Sequence, residues 1–205
     1  MKRAVKAILF LIGTAVATSM IAQAPAPAPT AAPAPVIPAP TIPGFRGDCV
    51  SDIEFVGKRI VDLAEKMPAD KYGWRPAPGV RSVSEVFMHV AGANYMLPSL
   101  VGAKLPEGFD RGMETSVTDK AKVIDWLKKS IENAKATVTG MSDADLDKKV
   151  KVPFLGGREL SQRRILIIVE THMHEHLGQS IAYARSNGVT PPWSEDQPPA
   201  PAKKG

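Results

Sequence analysis

Among 205 residues there is one cysteine, Cys49, which excludes a disulfide framework and any cysteine-based zinc cluster. Aromatic residues make up only 6% of the chain, and proline is scarce in its middle: of 19 prolines, eight lie in the first 44 residues, five in the last 15 and six between. That distribution separates a centre of about 145 residues, enough for one ordinary domain core, from two ends that cannot build one. Charge of one sign is also scarce. Of the formal charge of +5, Lys2, Arg3 and Lys6 supply three, and no acid precedes Asp48. The remaining basic and acidic residues alternate without a one-signed stripe, and the signatures of RNA-binding modules are absent, so nucleic acid is not an expected partner. With four histidines and 21 carboxylates present, any bound metal must be held by nitrogen and oxygen.

A predominantly apolar run, Ala7 to Ala22, is 16 residues and falls short of a membrane span of roughly 20. Preceded by three basic residues and followed by Ala22-Gln23-Ala24, it makes residues 1–24 read as a signal peptide, with an uncleaved membrane anchor as the alternative. No cysteine follows the run to support a lipoprotein anchor. Either reading implies an exported, periplasmic or extracellular domain. Residues 25–47 read as a Pro/Ala-rich linker that favours extended polyproline II, 48–195 as the folded domain and 196–205 as a disordered tail.

Four stretches of the centre carry helical rather than alternating periodicity. The first, about Val50 to Met67, places Ile53, Val56, Ile60, Leu63 and Ala64 on one side and stops at Pro68. The second opens with Ser82-Val83-Ser84-Glu85, a capping-box pattern, and runs to about Leu100 with Val86, His89, Ala93, Met96 and Leu97 on one stripe. The third, about Thr118 to Val138, turns Val123, Ile124, Leu127, Ile131 and Ala134 inward and several lysines outward. The fourth, about Ser161 to Asn187, spans roughly 40 Å and ends at Asn187-Gly188. Before it, Lys149 to Phe154 alternates and meets Gly156-Gly157, which predicts a short strand or hairpin. Four amphipathic helices with one long crossover between the second and third predict an all-α four-helix bundle.

Three of the four histidines lie in His172-Met173-His174-Glu175-His176, and the fourth is His89. On a helix His172 and His176 are about 40° apart and one turn apart, so both imidazoles can reach one ion. The stripe Ile165, Ile168, Val169 continues into His172, His176, Gln179 and Tyr183, so the pair faces the bundle interior. His174 lies on roughly the opposite side and reads as a surface or packing residue. His89, on the stripe of the second helix, is the third nitrogen from a facing helix. Three histidines leave a coordination position for water or substrate, as in catalytic sites. The bland reading, three hydrogen-bonded core histidines, would leave imidazoles short of partners at roughly 1–3 kcal/mol for each unmatched group.

The segments HMHEHLGQSIAYARSNGVTPPWS and YGWRPAPGVRSVSEVFMHVAGANYMLP together resemble the DinB-like (DinB/YfiT) superfamily of bacterial metal-binding proteins, over about residues 48 to 195. The resemblance implies a DinB-like four-helix bundle of unusual helix order, often dimeric. It also implies a divalent metal site on one histidine of the second helix and an H-x-x-x-H pair before Gly-Gln on the last. Those positions are His89, His172 and His176. Zinc or nickel is the metal expected first, with iron or manganese as alternatives. Characterised members include thiol-dependent transferases and isomerases. Leu177 departs from the pattern, since an arginine is frequent there.

Around these ligands, Glu85 shares the face of His89 and reads either as a general base or as a hydrogen-bond acceptor that orients His89, or as a capping-box residue. Gln179 and Tyr183 follow the ligand stripe and read as contacts to bound water or substrate, or as bridges between helices. Trp74 and Trp193 lie in proline-bracketed loops that read as caps on the bundle ends, with a substrate wall as the alternative. Cys49 reads as a small half-buried residue. The expected function is a metal-dependent hydrolase or transferase acting on an unknown small molecule, and the alternative is a non-catalytic metal-binding or stress-related interaction module.

Overall fold

The computed structural model describes residues 42–195, so the expected signal peptide or anchor, most of the linker and the tail lie outside the described residues. Within them are α1 (Gly44–Lys66), α2 (Val83–Ser99), α3 (Met113–Ser116), α4 (Lys120–Gly140), a hairpin of β1 (Lys149–Val152) and β2 (Arg158–Ser161), and α5 (Gln162–Ser186). None of these helices is long and apolar enough to cross a membrane.

Three of the four long helices, α2, α4 and α5, start where a side chain accepts from a free backbone amide, whereas α1 starts at Pro43 without a side-chain cap. The expected capping box of α2 is present: Glu85 N–H donates to Ser82 Oγ at 3.3 Å, and Ser82 N–H donates to Glu85 Oε2 at 2.7 Å. Asp119 caps α4 and Ser161 caps α5 through a single bond each, accepted from the amides of Lys122 and Arg164. Helix α1 begins earlier than its apolar spacing predicts, taking in the last residues assigned to the linker. Polar and glycine contacts hold that first turn, which an apolar count passes over: Gly47 and Cys49 are buried, Arg46 bonds Asp143 and the Met141 carbonyl, and Phe45 lies under the Arg163 guanidinium. Pro98 falls in the last turn of α2, and the helix ends one residue later.

Helix α1 packs against α4 and α5, and α2 packs against the same two helices. Consecutive α1 and α2 therefore lie across the bundle from one another, a helix order that short-loop up-and-down bundles do not have. The core that joins them is apolar: Ile53, Ile60 and Leu63 from α1, Phe87 from α2, Leu127 from α4, and Ile165, Leu166 and Met173 from α5 are all sealed from solvent. Each such side chain contributes about 1.5–3 kcal/mol by leaving water. Gly57 lets α1 approach α4 closely, since a Cβ there would sit 2.8 Å from Ile131 Cγ2. The hairpin pairs Val150 with Leu160 and Val152 with Arg158, and reverses through Gly156 and Gly157, both at positive φ.

One expected stripe divides in two. On α2 the core receives Val86, Phe87, Val90, Ala91 and Asn94, while His89, Ala93 and Met96 are only half-buried and turn toward the crossover. The helix thus serves the core with one face and the site with the next.

Candidate metal centre

Helix α2 supplies His89, and the neighbouring α5 supplies His172 and His176 one turn apart. The three rings gather with centroids 4.4–4.9 Å from one another, and one nitrogen from each lies within 4.8 Å of the others. Nε2 of His172 is 3.1 Å from Nε2 of His89. Two imidazole nitrogens sharing one tetrahedral ion at 2.0–2.1 Å stand about 3.3 Å apart, so this pair already has the separation a shared ion requires.

The other ring nitrogens show which atoms are free. Nδ1 of His89 is 2.8 Å from Glu114 Oε2, and Glu114 Oε1 accepts from Arg81 Nε at 2.6 Å. A carboxylate can only accept, so the His89 proton sits on Nδ1 and its Nε2 lone pair faces His172. For His176 the chain of reasoning runs from the far end. The Arg81 carbonyl can only accept, so Tyr183 donates its hydroxyl proton there at 3.2 Å. Gln179 Nε2 must then donate to Tyr183 at 3.0 Å, and its Oε1 accepts from His176 Nδ1 at 2.8 Å. This leaves His176 Nε2 as a lone pair as well. Arg81 anchors both supports, through its guanidinium on one side and its carbonyl on the other. His172 has no such support, and its Nδ1 is buried without a hydrogen-bond partner.

The electrostatics favour neutral rings at His172 and His176. Burial, followed by the proximity of His176, His89 and Arg81, lowers the His172 pKa to about 3. His176 is also lowered, chiefly by burial. Burial alone would push Glu114 up, but Arg81 and His89 outweigh it and hold the carboxyl below its usual range. Two imidazole lone pairs aimed inward, a third ring beside them and an ionised carboxylate behind His89 form a donor set suited to a divalent cation.

The residues singled out from sequence fall into two groups. His89, His172 and His176 come together, and Gln179 and Tyr183 join them as a hydrogen-bonded chain that orients His176. Glu85 does not take the catalytic position expected of it: its carboxylate caps α2 at Ser82, bonds Arg75 at 3.0 Å and is absent from the cavity beside the histidines. The carboxylate that meets the histidines is Glu114. It stands on α3, a single turn inside the crossover, launched where Asp110 accepts from the Gly112 amide at 3.1 Å. Four residues carry no readable periodicity, so the only signal for Glu114 was a carboxylate in a long crossover. His174 lies outside the cluster, paired with Asp52 at 2.9 Å. Trp74 packs edge-on to Tyr183 and Trp193 packs under Arg59; the tryptophan that lines the cavity is Trp126. Cys49 is fully rather than half buried, and Leu177 is a core residue.

A cavity of about 370 Å³ opens beside His89, His172 and Glu114, and its remaining wall is mostly apolar. The fold and this site define a class of protein: a small helical bundle with a three-histidine centre at the end of an accessible pocket. The chain belongs to the DinB superfamily, whose family model matches residues 52–180. It is 25% identical over 130 residues to the uncharacterized protein YjoA of Bacillus subtilis, covering 63% of this chain and 82% of that one. A DinB-like protein from Bacillus cereus has the same fold at a TM-score of 0.63 and 19% identity, over 72% of this chain and 95% of its own. YfiT from Bacillus subtilis, described as a probable metal-dependent hydrolase with an unusual four-helix bundle topology, aligns at a TM-score of 0.56 and 16% identity, over 71% of this chain and 89% of its own.

Proposed function

We propose that this protein is an exported metal-dependent hydrolase or transferase whose divalent ion, zinc or nickel, is held by His89, His172 and His176. The observation that carries the reading is the 3.1 Å approach of the His89 and His172 Nε2 atoms, with the lone pair of His89 fixed on that side by Glu114. The description of YfiT as a probable metal-dependent hydrolase supports the same chemistry. Export rests on the basic and apolar pattern of residues 1–24.

A divalent ion at such a site supplies Lewis acidity and lowers the pKa of a coordinated water toward neutrality. The chain's own residues do the rest. Glu114 holds the His89 proton at Nδ1, and Gln179 holds that of His176, so each ring presents a lone pair without reorganising. Arg81 keeps Glu114 ionised and in place. The mostly apolar wall beside the histidines offers few competing hydrogen-bond partners to a bound molecule. An open cavity touching two of the three histidines favours catalysis over a sealed metal-binding module.

The test is a panel of ester, amide and thiol-transfer substrates offered to protein loaded with zinc or nickel, to stripped protein and to a His172→Ala/His176→Ala double variant. Turnover by the loaded wild type alone is expected. Equal turnover by the double variant, or no turnover of any substrate class by the loaded wild type, would overturn the reading.

A further inference from the structure

The cavity has a length, a chemistry and a residue that sets its width. Along α2 the cavity is lined by Met88, His89, Gly92, Ala93, Met96 and Leu97, of which His89, Gly92, Ala93 and Met96 form one helical face at spacings of three, four and seven. From His89 to Met96 the rise of 1.5 Å per residue makes this wall about 10 Å long. Glu114 and His172 meet His89 at one end, and Asp110 and Arg111 of the crossover also line the cavity, Arg111 sharing with Met96, Phe109 and Phe154 a second hollow that adjoins it. At the other end Tyr95 stacks edge-on with Phe109 and Trp126, which brings both of those cavity-lining rings to the far part of the helix. Phe154, at the hairpin turn and 54% exposed, lies at the rim. Gly92 is a mid-helix glycine at ordinary helical φ, and neither backbone conformation nor a close neighbour requires it, because a Cβ there would meet nothing within 4 Å. Glycine in such a place weakens a helix relative to alanine, and what it leaves in return is open space one turn from His89.

Resting on the proposed reading of the metal site, we infer that the substrate is an amphiphile with one polar reacting group and a predominantly apolar body about 10 Å long, of aryl or medium alkyl type. The polar group lies at the histidine end, the body runs along α2 toward Trp126 and Phe109, and Gly92 sets how bulky that body can be. Met88, Met96 and Met113 in the wall give the pocket an adaptable surface suited to apolar groups of differing shape.

N-phenyl-1-naphthylamine, a neutral aryl probe that brightens on entering apolar cavities, tests this on the full chain with and without added zinc. The wild type binds it saturably at one site, with energy transfer from tryptophan, in both conditions. Gly92→Leu and Met96→Trp each weaken binding by at least about tenfold while keeping the far-ultraviolet circular dichroism of the wild type, and the second variant carries the test if the first does not fold. Binding that is absent in the wild type, or unchanged in a folded variant, overturns the inference. Zinc stoichiometry of the wild type is measured in parallel, so the two claims fail separately. A wild type that takes up zinc but never binds the probe removes the substrate class alone, and one that binds the probe but takes up none of the added zinc removes the metal reading while the apolar pocket stands.

Discussion

Glu114 and Tyr183 do comparable work on opposite sides of the histidine cluster, yet their substitutions should differ in size. Glu114→Gln keeps the shape of the side chain but loses the charge that holds the His89 proton on Nδ1 and pairs with Arg81. Its affinity for zinc, measured by competition with a chromophoric chelator, should fall about 10–100-fold. An unchanged affinity would mean that His89 does not depend on Glu114. Tyr183→Phe removes only the link that orients Gln179, two bonds removed from His176, so a smaller loss than that of Glu114→Gln is expected in the same titration. The two residues also differed in legibility. Tyr183 continued the stripe of His172 and His176 and could be found from spacing; Glu114, in a four-residue turn far along the chain from His89, could not.

At the scale of elements, α2 is the piece on which the site depends, because its capping box fixes where the helix begins and therefore where His89 points. Ser82→Ala should cost about 1 kcal/mol, read as a drop of a few degrees in thermal midpoint. A midpoint equal to the wild type would show that the box is not holding the helix end. Gly57→Val should also destabilise, by about 1–3 kcal/mol, because the new side chain would be forced against Ile131 at a close approach of α1 to α4. Denaturant unfolding measures it, and a stabilised variant would contradict that packing. Both the capping box and the buried face of α1 were readable in sequence, since each is a local pattern with a local cause. The division of α2 into a core face and a cavity face was not. Apolar spacing alone does not distinguish a residue that meets another helix, such as Val90, from one that meets an open pocket, such as Met96.

For the whole molecule, bundle class followed from four amphipathic stretches, but the helix order did not, because nothing within α1 or α2 specifies that they sit across the core from one another. The same arrangement sets the response to pH. The His172 pKa is near 3 in the fold and near 6.5 in a free side chain, so between those values the unfolded chain takes up a proton that the folded chain does not. Stability of the metal-free fold is therefore fully present above about 6.5 and falls as pH drops toward 3. Its thermal midpoint should decrease across that interval, and a His172→Asn variant should show a shallower decrease; parallel curves for the two would contradict this. Zinc at 100 times its dissociation constant should add about 2.7 kcal/mol to the fold at neutral pH. The most direct test of the central claim is elemental analysis of the protein purified from its native compartment, beside the His172→Ala/His176→Ala double variant treated identically. One divalent ion per chain in the wild type and essentially none in the variant is the predicted result, and equal metal content in the two would contradict it.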